Sequence, residues 1–419
     1  MHKIFRNDAI DLSRGLSDIW DSTFSDFYRA TYEKAGFTKE QVTDPEFFTK
    51  LPFLTRADLE QTSPLDRLYT EEGDIDFIAY TSGTTSGKPV ITFHTLLPHY
   101  KYDPTLGVDV HRILVTYPPF NKNFGPMFIR MCKEASRPVF PISADYQNLA
   151  NSAIIARDTK ADALYATPTL AALLAPHLRE HYSAEAIKLI VLCSETLTDA
   201  RRNELERAYP NAVIANTYGS SEIGRHIFYP CPDMLAAGRP HFHPIFEDIA
   251  VIELIDHELV ITYLADKAFP LIRYRTGDYF EEAPACTCGR PGPTLAWRGR
   301  DNVDRVRANG VEIFLDDVEK VFVPLVPLIG DAYQLHFYSS DDAKVRVVVE
   351  IENAKASEDP TLMQYAYAQV LGGLLGLRLG ASATLATAIE KGLFTEPEIV
   401  FVESLSVKTT KAKRLVSHL

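Results

Sequence analysis

Tyr80-Thr81-Ser82-Gly83-Thr84-Thr85-Ser86-Gly87-Lys88-Pro89 lies between two apolar runs, Phe77-Ile78-Ala79-Tyr80 and Val90-Ile91-Thr92-Phe93. Each run reads as a short strand, and the connection is built from small and hydroxylated residues that close on a lysine and a proline. A loop of this composition can wrap backbone N–H groups, hydroxyls and one cation around a polyphosphate. It is not the P-loop of the common NTPases. That motif needs four residues between its glycines and Ser or Thr after the lysine, whereas three separate Gly83 from Gly87 and Pro89 follows Lys88. The same composition also makes an ordinary turn with no ligand, so the loop is weighed with the rest of the chain.

The 419 residues exceed one typical core, and two domains are expected. A hydrophobic content of 46% with 24% charged residues is that of a soluble globular protein. The formal charge of −13 argues against nucleic acid as a partner. No stretch approaches the ~18 apolar residues of a membrane helix, and Met1 to Asp8 has no signal-peptide core, so no membrane partner and a cytoplasmic location are expected. Five cysteines, Cys132, Cys193, Cys231, Cys286 and Cys288, are odd in number and widely spread, which suits reduced thiols or a metal site better than a disulfide framework.

Residues 10 to 62 read as helices broken at Asp44-Pro45 and Leu51-Pro52, a packing layer with no group assigned to chemistry. Beyond Ile113-Leu114-Val115, helix-like and strand-like segments alternate as far as Ala212-Val213-Ile214-Ala215. The alternation predicts an α/β fold, a large N-terminal domain of mostly parallel sheets flanked by helices. Ligands in such folds sit beyond the carboxyl ends of the strands. Three polar loops follow strand-like runs there: Cys193-Ser194-Glu195-Thr196, Asn216 to Glu222, and Tyr274-Arg275-Thr276-Gly277-Asp278. Each alone reads equally as a turn or helix cap.

Thr81 to Pro89, Tyr218 to Glu222, Tyr274 to Asp278, Gly299-Arg300 and the lysine-rich end resemble, in order and rough spacing, the signatures of acyl-adenylate-forming enzymes. Phe27-Tyr28-Arg29, Leu51 to Leu59 and Cys286-Thr287-Cys288-Gly289-Arg290 make the chain look most like the phenylacetate–coenzyme A ligase group, and the match spans nearly the whole chain. The resemblance implies a two-step reaction. A carboxylic acid attacks the α-phosphate of ATP to give acyl-AMP and pyrophosphate, and a thiol, that of coenzyme A, then displaces AMP. A carboxylate is a poor nucleophile toward a tetra-anion, so such a catalyst works by positioning and charge neutralisation. By resemblance, Ser82, Gly83, Thr84, Thr85, Gly87 and Lys88 hold phosphates, and Glu222 ligates Mg²⁺. Ser221 supplies a hydroxyl to the α-phosphate, Tyr218 stacks on adenine with Ser194 and Glu195 lining its edge, and Gly219 counts among the nucleotide-binding residues. Asp278 accepts the ribose hydroxyls, and Arg300 reaches the same sugar.

By the same resemblance, a small mobile α+β C-terminal domain, 303–419 against 1–302, carries a lysine that meets the carboxylate and α-phosphate and then swings away. Lys411 aligns best, with Lys413 as the rival. The pattern also departs from the group's: Ser86 lengthens the phosphate loop, Thr410 replaces a glycine, and the hinge falls at Asp301 or Asp304. Cys286-x-Cys288 on a glycine turn, with Cys231 in Pro-Cys-Pro and His241 and His243 close behind, offers a structural zinc set. Cys231, His243, Cys286 and Cys288 are taken as that set, with His241 as the alternative. Tyr117, Phe120, Phe124 and Tyr165 suggest an aromatic wall for an aryl or arylacetic acid. Transfer to a carrier-protein thiol, and a non-catalytic nucleotide-binding descendant, stand as alternatives, and the group's habit suggests a homodimer.

Overall fold

The computed structural model describes residues 2–81, 89–95, 103–116, 125–134, 138–144, 147–238, 241–300, 303–340, 344–353, 359–379, 383–406 and 413–419, with side chains from 128 onward in the helix Gly125–Glu134. The chain packs into two compact units, one of Met1–Ala166, His181–Ser194 and Asn211–Arg298, the other of Thr167–Glu180, Glu195–Pro210 and Gly299–Leu419.

In the first unit, five parallel strands run in the order Phe140–Ser143, Arg112–Val115, Ala163–Ala166, Leu189–Leu192, Val213–Asn216. The middle strands Ala163–Ala166 and Leu189–Leu192 are buried at every residue, as a sheet covered on both faces demands, and this is why they read as unbroken apolar runs. The expected parallel sheet is therefore present. Beside it lies an eight-stranded sheet that alternation along the sequence does not describe, ordered His2–Arg6, Val251–Ile255, Glu258–Tyr263, Leu271–Glu282, Leu295–Arg300, His241–Pro244, Arg225–Tyr229, Tyr218–Ser220. Its registered pairs are antiparallel. The hairpin Val251–Tyr263 turns on Asp256 and His257, both at positive φ (49° and 73°), the left-handed pair that a two-residue connection between twisted strands requires. One hydrophobic core serves this unit, with Tyr28, Phe48, Phe128, Tyr165, Phe228 and Phe280 among its large members.

The second unit has its own core around Phe322, Tyr333, Phe337 and Val349. Its four strands are ordered Glu398–Val402, Val345–Glu352, Tyr333–Ser339, Leu415–His418, with helices Leu315–Phe322, Pro360–Leu375 and Leu385–Glu390. Chain order alone sets a boundary near residue 302. Packing adds the stretches 167–180 and 195–210 to this unit, and the second of them is joined to it by buried polar bonds. Arg201, buried on the helix Asp199–Ala208, donates to Asp331 at 2.8 Å, and the same carboxylate takes Arg414 at 3.0 Å. Thr198 bonds Glu319. A buried guanidinium is retained only where carboxylates answer it.

Candidate active site

The hairpin that frames the glycine-rich loop pairs Phe77 with His94 and Tyr80 with Ile91. One step further, Thr81 N–H donates to the Val90 carbonyl at 2.9 Å and Thr81 Oγ1 accepts the Val90 N–H at 2.9 Å, closing a neck. Ser82, Gly83, Thr84, Thr85, Gly87 and Lys88 lie outside the described residues, as does Lys411. What borders the neck is a residue that the sequence reading did not single out. Arg56 Nη2 donates to Thr81 Oγ1 at 3.1 Å, its Nη1 lies 3.6 Å from Glu222 Oε1, and its Nε donates to Glu60 at 2.7 Å. Arg56 opens a short helix capped reciprocally by Thr55 and Asp58. That capping box is legible in the sequence, but nothing local ties it to Glu222, 166 positions away.

Tyr218–Ser220 is the edge strand of the eight-stranded sheet, and Ser221 to Gly224 form the turn into Arg225–Tyr229. Gly219 is obligatory, since a Cβ there would stand 2.3 Å from the Arg225 carbonyl oxygen. The Tyr218 ring is packed among Phe228, Phe280 and Trp297 at centroid separations of 5.1, 5.0 and 5.7 Å. Its hydroxyl donates to Asp278 Oδ2 at 2.6 Å, and Asp278 is fully buried. The short contact is that of a charge-assisted O–H···O⁻ bond. Ser194, just past the strand Leu189–Leu192, holds φ at 69°, a left-handed conformation that a non-glycine residue adopts at a cost and that recurs at functional sites. Tyr218, Gly219, Ser221, Glu222, Asp278 and Ser194 thus all belong to the first unit.

Glu195 and Arg300 fall in the second unit. The Glu195 carboxylate accepts the Thr169 N–H at 3.2 Å, serving the first turn of the helix Pro168–His181, where a negative charge meets the helix dipole. Arg300 N–H donates to Asp304 Oδ2 at 2.9 Å beside Gly299 at φ 96°. Asp301 lies outside the described residues, and Asp304 is buried. Lys413 is half-buried, which holds its ammonium below the usual lysine range, and it precedes Arg414, whose guanidinium lies over the Tyr333 ring at 4.2 Å. Of the aromatic wall, Tyr117, Phe120 and Phe124 lie outside the described residues. Tyr165 is buried, with its hydroxyl 3.0 Å from His226 Nε2.

The structure gathers Cys231, His243, Cys286 and Cys288, their ligand atoms all within 4.8 Å of one another. Cys231 caps the short helix Pro232–Ala236 through the Met234 N–H, and His243 comes from the strand His241–Pro244. Cys286 and Cys288 sit on the turn closed by Gly289 at φ 72°. Sγ of Cys231 is 3.5 Å from Sγ of Cys286, and Sγ of Cys288 is 3.2 Å from His243 Nε2. A tetrahedral zinc with Zn–S near 2.3 Å places its sulfurs roughly 3.8 Å apart, so the four groups fit that ion. Burial pushes the Cys231 thiol up to about 11 and holds His243 below the usual histidine range, with Arg290 adding to the latter.

A strand-framed loop neck, a buried carboxylate held by an edge-strand tyrosine and a glutamate on the adjoining turn sit here in an adenylate-forming enzyme. The chain belongs to the AMP-binding enzyme family, whose model matches residues 27–247. Among its relatives, it is 27% identical over 355 residues to the phenylacetate-coenzyme A ligase of Thermus thermophilus, covering 77% of each chain. It is 25% identical over 335 residues to that of Escherichia coli, covering 74% of each. Its fold is similar to that of a 2-hydroxyisobutyryl-CoA ligase in the postadenylation state, with TM-score 0.71 and 18% identity over 97% of this chain and 88% of that one. Among the described residues no helix is long and apolar enough to cross a membrane.

Proposed function

We propose that the chain activates a small organic acid, an aryl or arylacetic acid, with ATP and passes the acyl group to the thiol of coenzyme A. One carboxylate oxygen of the acid bonds to the α-phosphorus as the bond to pyrophosphate breaks. The thiolate then bonds to the acyl carbon, and AMP leaves with the electron pair of the carbon–oxygen bond. The observation that carries this reading is convergence: Tyr218 touches Asp278, Glu222 follows on the adjoining turn, and Arg56 links Glu222 to the neck of the loop.

In this reading Ser82 to Lys88 surround the phosphates, Ser221 and Gly219 border the α-phosphate, and Asp278 and Arg300 take the ribose. Glu222 holds Mg²⁺, a hard cation that takes oxygen ligands and offsets phosphate charge when bound. Arg56 keeps the Glu222 carboxylate neutralised and aimed until nucleotide arrives. Lys411, assigned by resemblance, serves the first step from the mobile segment 303–419, and a Lys411→Ala chain loses adenylation. Cys231, His243, Cys286 and Cys288 hold a structural zinc, which ties the turn 286–289 to the eight-stranded sheet. A homodimer belongs to the same proposal, and light scattering measures it.

The test is exchange of labelled pyrophosphate into ATP across a panel of carboxylic acids. Exchange that depends on aryl or arylacetic acids supports the reading, and no exchange with any acid overturns it. Offering a carrier protein in place of coenzyme A distinguishes the two thiol acceptors.

A further inference from the structure

Two donors and one imidazole nitrogen converge on one backbone oxygen immediately before Glu222. The Ser221 carbonyl accepts from Thr92 Oγ1 at 2.9 Å and from the Gly224 N–H at 3.2 Å, and His94 Nε2 lies 3.2 Å from it. A carbonyl has two lone pairs, so this one is more heavily held than its neighbours in an ordinary turn. His94 Nε2 also lies 2.8 Å from Thr92 Oγ1. The Thr92 hydroxyl gives its proton to Ser221, and where His94 carries a proton on Nε2 the Thr92 oxygen can accept it.

The remainder of the clasp is buried. Thr92 and His94 are 2% and 1% exposed, and His94 Nδ1 is 2.7 Å from Asp266 Oδ2, which also takes Arg225 at 3.0 Å. The His94 ring stacks on Phe77 at 5.0 Å. The turn Ser221 to Gly224 lies directly against that ring. Gly224 holds φ at 72°, and a Cβ on it would stand 2.4 Å from His94 Nδ1. Thr92 and His94 are on the strand that leaves the glycine-rich loop, so a single short strand frames the phosphate loop and grips the turn bearing Glu222.

We propose that Thr92 and His94 are positioning residues for Glu222: by fixing the peptide plane between Ser221 and Glu222 they aim the carboxylate at the magnesium of bound Mg·ATP. The proposal rests on the reading of Glu222 as a metal ligand given above. Neither residue touches nucleotide or metal. They act through the Ser221 carbonyl, as groups behind a metal ligand set its direction, and removing such a group typically weakens metal binding or activity by about 10- to 100-fold.

The experiment separates the two half-reactions in the full chain. Pyrophosphate exchange with phenylacetate is measured against Mg²⁺ concentration, and thioester formation is measured from supplied phenylacetyl-adenylate and coenzyme A, a step in which pyrophosphate takes no part. For His94→Ala, the Mg²⁺ concentration giving half-maximal exchange rises roughly tenfold or more, while the second half-reaction stays near that of the unmodified chain. His94→Gln, whose amide can donate where Nε2 does, recovers most of the Mg²⁺ response, and Thr92→Val shows a smaller rise. Equal losses in both half-reactions, or an unchanged Mg²⁺ response, overturn the proposal. An unmodified chain inactive toward every acid overturns the ligase reading and this proposal with it.

Discussion

Two polar clusters of the first unit differ in how they are completed. Around Asp266, the carboxylate accepts from five donors. Thr95 N–H, Thr95 Oγ1 and Ala268 N–H reach Oδ1, and His94 Nδ1 and Arg225 Nη2 reach Oδ2. A carboxylate offers about four lone-pair sites, so this one is saturated by protein alone. Around Cys231, three thiols and an imidazole face one another, and His243 Nδ1 is buried without a hydrogen-bond partner among the described residues. Thiols are weak donors and weak acceptors, so mutual contact does little for them until a cation binds the thiolates and their protons are released to solvent. The first cluster is complete within the protein, and the second has the donor set and spacing that a metal ion takes.

The contrast is broken most severely at Asp266. Asp266→Ala strands the buried Arg225 and His94 without their carboxylate, and the midpoint of urea unfolding should report a loss of about 3–5 kcal/mol, the usual cost of removing one partner of a buried ion pair. Burial alone would raise the Asp266 carboxyl, yet His94 and then Arg225 outweigh it and hold the group below the ordinary aspartate range. A carboxyl depressed in the folded chain contributes stability that is complete above its unfolded value and is lost as pH falls through the folded one. Asp266→Asn should therefore flatten the acid limb of a stability–pH profile and leave its neutral-to-alkaline course the same in shape.

The thiol cluster should respond to metal where the Asp266 cluster does not. Zinc at about a hundredfold excess over its dissociation constant adds about 2–3 kcal/mol, read as a rise in unfolding temperature that a chelator reverses. Cys288→Ser should abolish that response, and metal content should fall with it. A chelator-insensitive unfolding temperature with no bound zinc would remove the cluster's assignment.

Between the two lies Asp278, as buried as Asp266 and held by the Tyr218 hydroxyl. Tyr218→Phe should cost about 1–2 kcal/mol, less than the loss at Asp266, and should raise the ATP concentration needed for exchange. The smallest effect is kinetic. Zinc should slow alkylation of the half-buried Cys286 and Cys288, while Cys132, buried and with its thiol pushed up to about 12, stays unreactive with or without metal.

The parts of this molecule that are legible in its sequence are the ones whose cause is local. Ala163-Leu164-Tyr165-Ala166 and Leu189 to Leu192 announce themselves because both faces of a parallel strand are buried. The eight-stranded sheet is less audible. Its strands arrive from residues 2 to 300 in an order that no periodicity encodes, although Ile255-Asp256-His257-Glu258 does carry a hairpin signal. Cys231, Cys286 and Cys288 are legible in their tight turns, with His243 preferred to His241, and in the structure His243 lies 3.2 Å from Cys288. Nothing in the sequence ties Arg56 or His94 to its partner. Their partners Glu222 and Asp266 lie 166 and 172 positions on, and only the closed fold brings them together.

The neck between Thr81 and Val90 has a consequence for how such a loop can vary. Because the strand ends are zipped to each other by their own amide and hydroxyl, a change in the length of the segment between them acts between fixed ends. Chain-closure entropy changes only slowly with loop length. Deleting Ser86, or adding a residue beside it, should therefore leave the pairing of Tyr80 with Ile91 and of Thr81 with Val90 in place.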